Sequence, residues 1–236
     1  MNLTNRSNSP TIIVSVAFTL ALFSLSFWVP GKIHYYLLWN LVLAMIPLLL
    51  ANGIAGLFEH QRRLRALMVI LGLLWLVFLP NSFYLITDFL HIENSSFQNN
   101  YSTAPQQIAF SEIFNLILFA SFIWTGYLCG FVSVRKIHRV IDQVFGTMAG
   151  FGAVVGAFLM SSVGVYIGRV IRLNSWDVFV SPLQTFHRIT DPALNFRPIE
   201  VLVFLGLFTG LLWVIYSTLY QNSPGPSKTL RPGLED

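Results

Sequence analysis

Charge is scarce in this chain. Of its 236 residues only 10% are Asp, Glu, Lys or Arg, while 55% are hydrophobic, and the mean hydropathy is +0.66. A soluble domain of this length needs far more charged surface, so the composition excludes one. Cysteine is scarcer still. Cys129 stands alone, which excludes an intrachain disulfide framework or cysteine metal cluster and leaves the redox compartment undefined. Extended polar sequence is also rare. The carboxyl-terminal "QNSPGPSKTLRPGLED" is rich in proline and glycine and has no apolar period, so residues 221–236 read as a disordered cytoplasmic tail on a transmembrane domain over 1–220. No repeat relates the first half of the chain to the second.

Apolar sequence is abundant. About 20 helical residues cross ~30 Å of hydrocarbon, and six runs are candidates: Thr11–Val29, Tyr35–Phe58, Ala66 through Pro80 and beyond, Ile108–Val134, Val144–Ile167 and Ile199–Leu219. The pattern predicts an all-α membrane protein with six transmembrane helices. The first run follows a short polar segment, as a secretory signal would. Its apolar core exceeds the usual h-region of about 7–15 residues and no small-x-small cleavage pattern follows, so it reads as an uncleaved helix.

Cytoplasmic loops accumulate Lys and Arg. One side holds Arg6, Arg62, Arg63, Arg65, Arg135, Lys136, Arg139, Lys228 and Arg231; the other holds Lys32, Arg169, Arg172, Arg188 and Arg197. Both termini are therefore expected in the cytoplasm, with the chain in the inner (plasma) membrane. The pI near 9.4 is then orientation signal plus attraction to anionic lipid. Membrane lipids are the expected partners, and nothing calls for nucleic acid.

The third run contains "FLPNSFYLITDFLH", Phe78 to His91. From Ala66 to Leu79 a helix covers roughly 21 Å, too little to span, so it is expected to continue past Pro80 with a kink. At about 100° per residue, Asn81, Tyr84, Asp88 and His91 share a stripe flanked by Pro80 and Thr87. Phe83, Leu85, Ile86, Phe89 and Leu90 take the other side. The polar stripe is expected to face protein or water at the outer interface. From the other long outer loop, "VYIGRVIRLNSWD" brings Arg169, Arg172 and Trp176 onto one face if the helix continues. The fourth run enters from the same side with Ser111, Glu112 and Asn115 in its first two turns.

The stretch containing Pro80, Asn81, Tyr84, Thr87, Asp88 and His91, together with Gly168, Arg169, Arg172, Asn174, Ser175, Trp176 and Asp177, resembles a family of bacterial membrane proteins. That family is known as domain of unknown function thirteen sixty-one, and the likeness covers most of the helical region. It implies no activity. It does imply that the polar stripe and the arginine face belong together.

Two arginines exceed what one carboxylate requires, and guanidinium groups suit bidentate contact with phosphate or carboxylate. The leading expectation is a site for an anionic substrate, lipid-linked or otherwise of the envelope. Arg169, Arg172, Tyr84, Asn81 and Trp176 would bind it, with Asp88, His91 and Glu112 as acid and base. A purely structural ion pair of Asp88 with either arginine is the plainer reading of the same residues. Asp88 and His91 also have a spacing that two metal ligands use, with Glu112, Asp177 or His187 needed to complete a set. That spacing alone is weak, so no metal or other cofactor is assigned. "NSWD" has its own plain reading: Asn174 or Ser175 caps a short helix, Asp177 sits in its first turn and Trp176 anchors at the interface. "VFVSPLQTFHRI" then runs along the membrane surface.

Two rival classes are a small transporter or channel and a structural or assembly protein. A channel needs polar continuity, and Leu67 to Leu79 offers no polar side chain. Gly146/Gly150, Gly152/Gly156 and Gly164/Gly168 form small-xxx-small pairs in the fifth run, which predict close packing within the chain and also allow a homo-oligomer. Asn40 and Asn52, with Pro47 between them, and Asn115 are expected to be buried, with the asparagines bonding between helices.

Overall fold

A computed structural model of the chain describes residues 9–29, 33–60, 64–91, 110–170, 180–189 and 197–220. These residues contain helices and no strand. In order they are α1 (Ser9–Leu25), α2 (Tyr35–His60), α3 (Arg65–Tyr84), a 3₁₀ segment (Leu85–His91), α4 (Phe110–Phe145), α5 (Thr147–Val170), α6 (Pro182–Ile189) and α7 (Pro198–Tyr220). Five of the helical segments, α2, α3 with its 3₁₀ extension, α4, α5 and α7, are long and apolar enough to cross a membrane. The chain is a multi-pass integral membrane protein. α1 has 17 residues, about 26 Å at 1.5 Å per residue, and falls just short of that length.

α1 is nonetheless bound to the bundle. The Thr19 hydroxyl, fully buried, sits 2.9 Å from that of Thr125 and 3.2 Å from the Ser121 carbonyl. Phe23 meets Phe122 edge-on at 6.1 Å. In hydrocarbon a hydroxyl must find a partner, and α4 provides it.

Pro80 lies inside α3, as expected, and the α-helix persists to Tyr84. Beyond it the winding tightens to 3₁₀. With three residues per turn rather than 3.6, Asp88 falls into register with Leu85 rather than with Tyr84. Leu85 and Asp88 turn inward together.

Sequence reading ended the fourth helix near Val134 and put Arg135, Lys136 and Arg139 in a loop. That is corrected: α4 runs on to Phe145. Ile137, Val140, Ile141 and Val144 recur at i, i+3, i+4 and i+7, an amphipathic helical period that carries the basic residues along. Gly146 then reverses the chain at φ +88°, a left-handed conformation natural to glycine, and α5 starts at the next residue.

Small residues let the proline-containing segment sit deep. A Cβ on Gly164 of α5 would run into the Pro80 ring, and one on Gly130 of α4 would meet Ser82 Cβ at 2.8 Å and the Phe83 ring at 2.9 Å. Within α5 the expected close packing holds at Gly150 and Gly164, whereas Gly152 and Gly156 have nothing within 4 Å. Phe83 is fully buried against Tyr127, Phe131 and Phe158 at ring separations of 5.4, 5.1 and 6.1 Å. Tyr216 of α7 adds to this stack, 5.6 Å from Phe158. The stack fills the middle of the bundle.

Polar groups at mid-depth are satisfied locally. Ser82 donates to the Ala44 carbonyl at 2.8 Å, Ser161 to Ala157 and Ser162 to Phe158. The indole N–H of Trp75, counted with the apolar residues above, donates to Ser133 Oγ at 3.1 Å. Pro47 is buried as expected, but Asn52 is exposed, because it lies opposite the buried row Ala51, Ile54, Ala55 and Phe58.

Candidate functional site

The polar end of the bundle is assembled from the start of α2, the 3₁₀ segment, the start of α4 and the end of α5. Asp88 is only 2% exposed. Its carboxylate accepts a hydrogen bond from the Asn40 amide, Nδ2 to Oδ2 at 3.0 Å, which is the interhelical bond expected of Asn40. A carboxylate removed from water requires such donors.

One turn before Asn40 stands Tyr36, and its hydroxyl lies within electrostatic reach of both the Asp88 carboxylate and the Arg169 guanidinium. The tyrosine thus brings the two charges to one neighbourhood. They do not form an ion pair. Among the described residues the ion pair is Arg197 with Glu200 at 3.0 Å, within the exposed start of α7. Arg169, half-buried in the last turn of α5, has neither an ion-pair nor a hydrogen-bond partner among the described residues. The structural pair of Asp88 with Arg169 is therefore not formed.

His34, just ahead of α2, completes this end. Its ring meets Tyr36 edge-on at 5.7 Å and Phe119 of α4 at 5.1 Å.

The remaining expected residues divide. Asn81 is half-buried and donates to the Phe78 carbonyl at 2.9 Å. Thr87 donates to the Tyr84 carbonyl at 2.7 Å, so both serve their own chain near the proline. Tyr84 is half-buried beside them. Glu112 is half-buried in the first turn of α4 and makes no hydrogen bond or ion pair with a described residue. His187 is exposed on α6, whose Leu183 and Phe186 are also exposed while Thr185 is buried. Arg172, Asn174, Ser175, Trp176, Asp177, the side chain of His91 and the tail 221–236 lie outside the described residues. Among the described residues no three His, Cys, Asp or Glu converge as metal ligands.

Sequence reading missed Tyr36 and His34. The signal was the run "HYYLLWN", where Tyr36 and Asn40 share a helix face one turn apart at the depth where the third helix carries Asp88.

No curated protein and no solved structure matches this chain. A family model does, over residues 39–215, from within α2 to near the end of α7. The match spans the asparagine, the aspartate and the arginine around Tyr36, and by it the chain belongs to the family described as Protein of unknown function (DUF1361).

Proposed function

We propose that this protein spans the plasma membrane six times, with both termini in the cytoplasm, and binds or processes an anionic, lipid-linked substrate at its outer end. Arg169 holds the anion, joined by Arg172 from the following loop. Asp88, oriented by Asn40, is the acid or base, with His91 and Glu112 as further candidates and Tyr84, Asn81 and Trp176 lining the approach.

The observation that carries this reading is the half-buried Arg169 guanidinium, unpaired among the described residues while Asp88 is bonded by a neutral amide nearby. A structural pair of Asp88 with Arg169 would have brought those two into contact, while the pairing of Asp88 with Arg172 falls outside the described residues. A guanidinium kept partly out of water, with no carboxylate at ion-pair distance among the described residues, favours an anion from outside the chain. Its place near the end of an apolar span suits a ligand whose other end is a lipid.

The transporter reading is weaker, since the aromatic stack of Phe83, Tyr127, Phe131 and Phe158 fills the axis between the two ends. The test compares full-length protein with Arg169→Gln and Asp88→Asn, analysing co-purified phosphate-containing lipid. The reading expects an anionic species that Arg169→Gln loses. Equal retention would leave an assembly role as the better account.

A further inference from the structure

We propose that Arg135 and Arg139 form a binding site for the phosphate of an anionic phospholipid head group, at the end of the bundle away from Asp88. Both residues lie on the part of α4 beyond Val134, on the face turned toward the end of α7. Both are half-buried. The Arg135 guanidinium carbon sits 4.1 Å above the Tyr220 ring, and the group also lies beside the Tyr216 hydroxyl. That hydroxyl is held 2.8 Å from His138 Nδ1, and His138 is wedged where α5 has Gly150: a Cβ there would meet the imidazole at 2.9 Å. Arg135 is thus fixed by stacking, by a hydroxyl and by the packing behind that hydroxyl.

Arg139 is one turn along the same face and shares the electrostatic neighbourhood of Arg135, Tyr216 and Tyr220. Two like charges so placed repel each other. Neither has a carboxylate within ion-pair distance among the described residues. Asp142 acts on His138 and Glu59 on Lys136. The carboxyl end of α7 contributes only about half a negative charge, which does not offset two full positive ones.

A phosphate bridging the two forks supplies the missing counter-charge, and the planar guanidinium fits its oxygens better than an ammonium does. The surroundings select a lipid as its carrier. α7 ends at Tyr220, so the cluster lies where that helix leaves the hydrocarbon. Val214 and Leu219 of α7, with Phe145 and Met148 at the turn of α4 into α5, are exposed and offer acyl chains an apolar flank. Basic pockets between transmembrane helices bind anionic head groups in this manner.

The test uses the full-length protein in mild detergent, titrated with phosphatidylglycerol, phosphatidylcholine or inorganic phosphate and read by native mass spectrometry. Wild type is expected to retain phosphatidylglycerol in preference to phosphatidylcholine. The Arg135→Gln/Arg139→Gln variant should bind phosphatidylglycerol about tenfold more weakly or worse, and Lys136→Gln as wild type does. Unchanged preference in a folded double variant overturns the proposal. Displacement of phosphatidylglycerol by millimolar inorganic phosphate also overturns it, in favour of a free-phosphate site. Should the double variant fail to fold, Arg139→Gln alone leaves the contacts of Arg135 intact and is judged by the same two outcomes.

Discussion

Asn40 of α2 donates to Asp88 of the 3₁₀ segment at 3.0 Å, tying together two elements 48 residues apart in sequence. The bond supplies one of the donors that a nearly buried carboxylate needs at the end of an apolar span, and it makes α2 part of the site.

Asn40→Leu is expected to lower the thermal unfolding midpoint in detergent. A hydrogen bond to a charged group contributes about 1.5–3 kcal/mol, and its loss leaves the carboxylate short of a donor. The double variant Asn40→Leu/Asp88→Leu should recover part of that loss, because it removes both ends of this bond at once. A double variant as unstable as the sum of the singles would mean the bond contributes nothing.

Gly164→Ala should destabilise and Gly156→Ala should not. The added methyl at 164 meets the Pro80 ring, which cannot rotate away, whereas position 156 is open. Overpacking of this kind costs about 1–3 kcal/mol. Thermal melts of the two variants side by side check it, and equal midpoints would contradict the packing of α5 on α3.

The buried pair of hydroxyls at Thr19 and Thr125 contributes to the attachment of α1. A double-mutant cycle with Thr19→Val and Thr125→Val should give a coupling of about 0.6 kcal/mol, as interhelical hydrogen bonds in membranes do. Zero coupling would show that this pair of hydroxyls adds nothing to the attachment of α1.

Orientation can be read with single cysteines. Cys129 is fully buried and should give no background. In whole cells an impermeant maleimide should label Leu90→Cys directly and Phe145→Cys only after permeabilisation, both side chains being exposed. The reverse pattern would invert the topology argued from the basic residues.

The sequence made the long apolar runs legible because bilayer thickness dictates their length, and α2, α5 and α7 begin and end close to where hydropathy put them. It misplaced the end of α4 because a basic cluster was read as a loop, although the Ile and Val spacing around it is helical. Asp88 and Arg169 were recognisable as unusual charges near a membrane surface. Their relation was not, since the tightening from α to 3₁₀ after Tyr84 changes which side chains share a face, and one-dimensional spacing does not carry that. Tyr36 escaped notice for a simpler reason: a tyrosine at the end of a span reads as an interfacial anchor until its neighbours across the bundle are known.

The central claim, that Arg169 is kept available for an anion, is tested most directly by native mass spectrometry of the full-length protein purified with its native lipids. Wild type and the Arg135→Gln/Arg139→Gln variant are expected to carry the same phosphate-bearing species at the Asp88 end. Arg169→Gln should lose it while keeping its melting temperature. A folded Arg169→Gln protein that retains the species in full would contradict the account.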